Sequence, residues 1–250
     1  MTRLSVNLNK VALLRNSRHT GVPDPARFAG IVYVAGAAGV TLHPRPDERH
    51  IRRTDVDVIA AAIAAWRPKF ELNLEGYPDE RFLAVVRAAR PEQITLVPDK
   101  PEAFTSDSGW KLDAAERAVV EKFLTAVRPL GARVILFCDP DGDAAMRIAD
   151  TGAQGLEIYT GEYAHAHGIG RAAAALTGCA AAAEAGRARG LVVNAGHDLN
   201  TQNLPALVKR VPWLHEVSIG HELTADALEF GMAATIGAYR DALKPVLAPA

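Results

Sequence analysis

VTLHPR at residues 40–45 is a short apolar run that stops on His43 and Arg45, and FELNLEG (70–76) and LVVNAGH (191–197) repeat the form, stopping at Glu75 and His197. Runs of the same kind place strands at 4–7, 39–43, 70–75, 93–98, 133–139, 155–160, 190–194 and 216–219. Helical patterns separate them, at 24–37, 54–66, 78–89, 112–127, 141–151, about 163–188, 202–209 and 224–240. The runs are continuously apolar more often than alternating, which suits strands covered by helices outside and packed side chains inside. Eight strand–helix units predict a (β/α)8 TIM barrel with residues 1–250 as one domain. The rival is an open doubly wound sheet, which normally opens on a Gly-rich turn. SVNLNKVALLRNSR (5–18) contains neither GxGxxG nor GxxxxGK[ST], so nucleotide binding through those motifs is not indicated.

In such a barrel the carboxyl ends of all strands converge on one mouth, where acid, base and anion-binding groups act together. His43 at the end of strand two could take a proton near neutral pH, and Glu75 on the next strand could face the other edge of the same substrate. Each residue also has a structural reading, His43 as a satisfied side chain and Glu75 as a helix cap or an arginine partner. His197 follows Gly196, which allows a turn and a close approach by an anion, and barrel closure can bring it opposite His43. Glu157 in LEIYTG (156–161) is an inward candidate whose charge could orient an ammonium or imine; a structural ion pair is the alternative.

Two regions suit anions. TLHPRPDERHIRRTD (41–55) places Arg45 and His50 beyond strand two, its bland reading being a loop that Thr54 caps into a helix. SIGHELTADAL (218–228) puts Gly220 and His221 at a helix start, whose unpaired N–H groups favour an anion, with Gly161 and Gly196 as neighbouring backbone donors. Two phosphorylated small molecules would fit two such regions. DKPEAFTSDSGW (99–110), after strand four, reads as a water-excluding lid or as an ordinary surface loop.

Composition excludes other classes. The 250 residues are 49% hydrophobic, enough for a full core, and 28 basic residues against 29 acidic ones leave a formal charge of −1 without a long run of either sign. That balance argues against a nucleic-acid or anionic-membrane surface. Met1 leads into the first strand without a basic leader or long apolar segment, so the expected location is cytoplasmic, with no membrane partner. Cys138 and Cys179 lack CxxC spacing, and Cys138 reads as packing; the HAH at 165–167 reads as a polar helix start. No HExxH or other close-spaced ligand set occurs, so no metal is expected.

Taken in order, SVNLNKVALLRNSR, TLHPRPDERHIRRTDV, NLEG, TLVPDKPEAFTSDSGW, LEIYTG, VNAGHDL and SIGH resemble the pyridoxine 5'-phosphate synthase family over nearly the whole chain. The resemblance implies a (β/α)8 barrel with additional helices, an octamer of like chains, and an active-site loop after strand four. It implies condensation of 1-deoxy-D-xylulose 5-phosphate with 3-amino-2-oxopropyl phosphate into pyridoxine 5'-phosphate, inorganic phosphate and water, with no cofactor. By motif position, His43 and Glu75 would be general acid/base residues, His197 the proton donor, and Glu157 a stabiliser of transition-state charge. Asn7, Asn9, Lys10, Arg18, Arg45, His50, Thr105, Asp198, Gly220 and His221 would bind substrate. The chain departs from the family where NxDH is common, having Asn9 and Lys10, and again where Gly is common, having Asp198. Competing readings are an aldose-phosphate isomerase or aldolase on the same fold, the latter weakened by the lack of a strand-end lysine, and a phosphorylated-metabolite sensor that would need no acid/base set.

Overall fold

The computed structural model describes residues 1–99 and 107–244. Eight parallel strands close into a barrel in chain order: β1 (Arg3–Asn7), β2 (Gly39–Leu42), β3 (Glu71–Gly76), β4 (Gln93–Leu96), β5 (Arg133–Cys138), β6 (Gly155–Tyr159), β7 (Val192–Gly196) and β8 (Glu216–Ile219). Among the described residues the helices are α1 (Asn9–Asn16), α2 (Pro25–Val34), α3 (Arg53–Ala62), α4 (Glu80–Ala89), α5 (Ala114–Val127), α6 (Gly142–Ala149), α7 (Gly161–Gly168), α8 (Ala173–Ala188), α9 (Leu204–Arg210), α10 (His221–Phe230) and α11 (Met232–Ala242). The fold is the expected TIM barrel with additional helices: units one, six and eight carry two helices each. No helix of the described residues is long and apolar enough to cross a membrane.

The strands alternate more strictly than their sequences suggested. Leu4, Val6, Val40, Leu42, Leu72, Leu74, Leu156 and Ile158 are almost wholly buried within the apolar core, and each such side chain contributes roughly 2 kcal/mol. The residues between them meet inside the barrel and are largely polar. Thr41 Oγ1 lies 2.7 Å from Ser5 Oγ, and it accepts from Asn73 Nδ2 and Ser218 Oγ, each at 3.2 Å. Thr95 Oγ1 donates to Asn73 Oδ1 at 3.1 Å. The runs read as continuously apolar are therefore alternating: RLSVN and ELNLE place a polar residue at every second position, GLEIY sets Glu157 between Gly155 and Tyr159, and in β5 Ile135 and Phe137 stand beyond Arg133 on the lumen face.

The amino-terminal end of the lumen is closed by ion pairs. Glu71 receives Arg3 at 2.6 Å and Arg133 at 2.5 Å, Arg133 also donates to Gln93 Oε1 at 3.0 Å, and Gln93 Nε2 donates to Glu216 Oε1 at 3.1 Å. Burial, followed by the charge of Glu71, raises Glu216 to about 7.

Several boundaries differ from expectation for local reasons. α1 follows β1 directly, where only a turn was expected. The Ala-rich stretch is two helices, α7 and α8, divided around Gly168 and Gly170, whose φ of 71° breaks the helix. The HAH at 165–167 consequently ends α7 instead of starting a helix. Gly231 divides α10 from α11 in the same way, with φ 79°. Thr54 is not the cap of α3: Arg52 precedes the helix, and Asp55 accepts its backbone N–H at 2.7 Å. Cys138 and Cys179 are buried free thiols, and burial pushes Cys138 far above its ordinary range, so it packs as expected.

Candidate active site

The carboxyl end of β1 sets the position of β2's catalytic-type residue. Asn7 Oδ1 accepts the backbone N–H of Asn9 at 2.9 Å, and Asn9 Oδ1 accepts the backbone N–H of His43 at 3.0 Å. An amide carbonyl at residue 9 thus supplies the acceptor that an aspartate would supply, without its charge. His43 is 6% exposed, and its Nδ1 stands 3.9 Å from Glu75 Oε2. That separation is too long for a hydrogen bond.

The electrostatics of this pair oppose an ion pair, although its spacing alone would admit one. Burial, then the charges of Arg45, His50, Arg81 and Arg49, holds the His43 imidazole well below 6.5. Burial, then Asp99, raises the Glu75 carboxyl to about 8, against the opposite pull of Arg45 and of Asn7, whose Nδ2 donates to Oε2 at 3.4 Å. Both shifts have the sign of desolvation, so near pH 7 the pair is a neutral imidazole facing a protonated carboxyl. One group can accept a proton and the other can give one.

Arg45 is 3% exposed, and its guanidinium donates to Asp99 Oδ2 at 2.7 Å. His50 accepts the backbone N–H of Ile51 at its Nδ1, 2.9 Å away. Burial, with Arg45 and Arg49 next, lowers His50 to about 4, so its ring is neutral and Nε2 carries the proton as a donor. The rings of His43 and His50 lie 6.0 Å apart. The carbonyl of His50 is held in turn by Asn16 Nδ2 at 2.8 Å, and Arg15 clamps Asp55 at 2.5 Å, so α1 fixes the loop that carries Arg45 and His50.

His197 stands at the end of β7 with φ 83°, followed by Asp198 with φ 54°. Its ring meets Phe137 and Tyr159 edge-on, at 5.6 Å and 5.3 Å between centroids. Burial lowers its pKa, while Asp198, Asp99 and Asp107 pull upward and Lys10 pulls downward. Asp99 acts on both Glu75 and His197, and Lys10 on both His50 and His197, which puts the three histidines and Glu75 around one mouth. Lys10 and Asp198 influence His197 in opposite senses.

Glu157 lies deeper than the mouth. It is 1% exposed, pairs in register with Asn194, and its Oε2 has no hydrogen-bond partner among the described residues. Burial, then Glu75 and Glu216, holds its pKa well above 4.5. Burial therefore opposes the charged form of Glu157 and favours its acid form, a hydrogen-bond donor. Gly196 is part of β7, and a Cβ there would collide with the Glu157 carboxyl, so this glycine makes room for an acid.

At the eighth unit, Gly220 precedes α10 without any side-chain cap, next to Asn7, and His221 is exposed at the first helical position. The helix begins at 221, three residues before the expected 224, which strengthens its N–H groups as an anion donor set. Arg18 is exposed in the turn after α1, and Thr105 and most of the 99–110 loop lie outside the described residues. No group of three or more His, Cys, Asp or Glu among the described residues is placed to hold a metal ion.

This geometry has relatives. Residues 4–245 match the family model described as pyridoxal phosphate biosynthesis protein PdxJ. Pyridoxine 5'-phosphate synthase of Allorhizobium ampelinum is 49% identical over 243 residues, covering 96% of this chain and 97% of the relative. That of Brucella suis is 48% identical over 242 residues, covering 96% and 98%. The chain belongs to the PdxJ family. Among solved structures, 3-keto-L-gulonate-6-phosphate decarboxylase from Vibrio cholerae shares the barrel at TM-score 0.63 and 13% identity, covering 97% of each chain. Phosphoribosyl anthranilate isomerase from Thermotoga maritima does so at 0.58 and 13%, covering 97% and 98%. Both show the fold alone.

Within this PdxJ chain the structure brings in residues that were not singled out in the sequence. Asp99 pairs with Arg45. Arg81 sits in the first turn of α4, where a cation opposes the helix dipole, yet its charge acts on His43 and its buried Nε lacks a partner among the described residues. The misplaced cation is the signal that could have found it. Phe137 and Tyr159 give no such signal, because an aromatic at a strand end reads as core.

Proposed function

We propose that this chain condenses 1-deoxy-D-xylulose 5-phosphate with 3-amino-2-oxopropyl phosphate, releasing pyridoxine 5'-phosphate, inorganic phosphate and water. Its relatives of near-half identity are named pyridoxine 5'-phosphate synthase, and the observation that carries the chemistry is the neutral pair His43 and Glu75. Ring formation from these substrates needs repeated proton transfers: imine formation by the amine at the ketone, enolisation, loss of water and of phosphate, then closure. A base and an acid poised uncharged at one mouth serve such a sequence without a redox group.

In this reading neutral His43 removes protons and Glu75 returns them. His197 becomes the donor when a phosphate arrives beside it, because an anion raises an imidazole pKa. Glu157, held neutral, donates a hydrogen bond to developing oxyanion character instead of opposing it with charge. Arg45 and the Nε2–H of His50 take one phosphate, with Lys10 and Asn9 beside them, and the α10 start at Gly220 and His221 takes the other. Fixing both phosphates makes the encounter of the two reacting ends local. Arg18, Asp198 and Thr105 complete the binding set by family position.

Cytoplasmic location, a single barrel domain and assembly into an octamer belong to the same proposal. An apolar groove of about 430 Å³ between α1, α2, α10 and α11, with Leu14 and Leu228 exposed along it, supports contact between copies. The test is mass spectrometry of the purified protein with both substrates beside His43→Ala: product from the unmodified protein alone supports the proposal, and intact substrates in a properly assembled sample oppose it.

A further inference from the structure

Thr160 occupies the N-cap of α7, where a threonine hydroxyl ordinarily accepts a backbone N–H of the first helical turn, an interaction worth about 1 kcal/mol. It makes no such bond. Its Oγ1 is directed at β7 and lies 2.5 Å from the carbonyl of Gly196 and 2.6 Å from that of His197, so a single hydroxyl proton bridges two successive carbonyls. The backbone N–H of Thr160 also donates to Gly196 O at 2.9 Å, and the residue is fully buried. The next carbonyl, of Asp198, receives Asn203 Nδ2 at 3.1 Å, and Asn203 is itself fixed by Tyr163 Oη donating to its carbonyl at 2.7 Å. Three consecutive carbonyls, 196 to 198, are therefore held by two buried side chains, and both attachments lead back to the β6–α7 junction.

These carbonyls belong to a strained turn. His197 and Asp198 both have positive φ without being glycine, a conformation that costs roughly 1 kcal/mol or more at each residue and persists only where neighbours over-determine it. The same turn presents the His197 ring to the edges of Phe137 and Tyr159. We infer that Thr160 is a positioning residue, whose hydroxyl gives up helix capping in order to lock the left-handed His197–Asp198 turn and so aim the His197 imidazole into the mouth. The inference rests on the proposed role of His197.

The test uses the full chain and two readouts. Thr160→Val keeps the shape and removes the donor; Thr160→Ser keeps the donor. Asn203→Asp removes the Nδ2 donor while keeping the Oδ1 acceptor that Asn200 uses, and serves if the valine variant does not fold. NMR titration of the His197 ring, independent of activity, should show a displaced midpoint and altered ring shifts in Thr160→Val, a smaller change in Asn203→Asp, and the unmodified curve in Thr160→Ser. Product formation should lose about 100-fold in kcat for Thr160→Val with KM within about twofold, the scale of a reacting group misplaced by about 1 Å. It should be restored in Thr160→Ser. An unmodified His197 titration in Thr160→Val, or equal damage in the serine and valine variants, overturns the inference. If the unmodified protein forms no product, the proposed function fails while the titration still decides the clamp.

Discussion

The two ends of the barrel lumen are built from the same residue types and behave in opposite ways. At the amino-terminal end Glu71 is gripped by Arg3 and Arg133 at 2.6 and 2.5 Å. At the carboxyl-terminal end Glu75, two positions further along the same strand face, meets an imidazole only at 3.9 Å and is pushed up to about 8. The first carboxylate is gripped by two guanidiniums and used for cohesion; the second, with the Asn7 amide as its hydrogen-bond partner among the described residues, is kept neutral. Since β3 carries both, strand identity and burial do not decide the difference. What decides it is whether a guanidinium hydrogen-bonds the acid: Arg3 of β1 and Arg133 of β5 reach Glu71 from two strands away on either side, whereas Arg45 donates to Asp99 and acts on Glu75 only through its charge.

The strongest way to break this comparison is at the mouth. His43→Asn or Glu75→Gln should lower kcat/KM for pyridoxine 5'-phosphate formation by about 10²–10⁴-fold, with an unchanged circular-dichroism spectrum; near-normal turnover would remove the residue from its role. The counterpart at the other end is Glu71→Gln, which leaves two arginines facing each other. It should cost about 3 kcal/mol of stability, read as a lower melting temperature, with turnover per folded molecule retained. Loss of turnover with no loss of stability would show that the ends are not separable.

Linkage sharpens the contrast further. Between the ordinary carboxylate pKa of 4.5 and the raised value of about 8, the folded protein holds a proton on Glu75 that the unfolded chain has released. The Glu75 contribution to stability is thus full below about pH 4.5 and is lost as the pH rises to about 8. Glu75→Gln escapes that loss, so its advantage over the unmodified protein should grow across this window to on the order of 4 kcal/mol; thermal melts at pH 5 and pH 8 would show it, and an unchanging gap would refute the raised pKa. The smallest expected effect is that of Asp198→Gly, which relieves a left-handed residue and should add about 1 kcal/mol of stability in the same melts. No gain would mean that the Asp198 side chain offsets its backbone cost.

How far the sequence could be read follows from the same physics. The strands were legible because their outward residues, such as Leu72 and Leu74, must be apolar against helices. The polar lumen was equally written in Glu71, Asn73 and Glu75, but Ile135 and Phe137 of β5 blurred the alternation into a continuous run. Helix breaks at Gly170 and Gly231 were hidden by the Ala-rich or amphipathic patterns on both sides, because a positive φ is a backbone property that a periodicity count does not see. His43, Glu75 and His197 stood out as polar stops at strand ends. Their protonation did not, since it depends on burial and on which arginine reaches which acid. Thr160 could not be read at all: at an N-cap its residue type is expected, and only the direction of its hydroxyl sets it apart.

The most direct test of the whole account is the pH dependence of kcat/KM for pyridoxine 5'-phosphate formation from the two phosphorylated substrates, measured beside Glu75→Gln. A base held well below 6.5 and an acid at about 8 predict a rate that is steady through neutral pH and falls as Glu75 ionises above about pH 8, with the variant showing only a low residual rate and no such fall. A profile that rises through pH 8, or a variant that matches the unmodified protein, would contradict the neutral acid–base pair on which the reading stands.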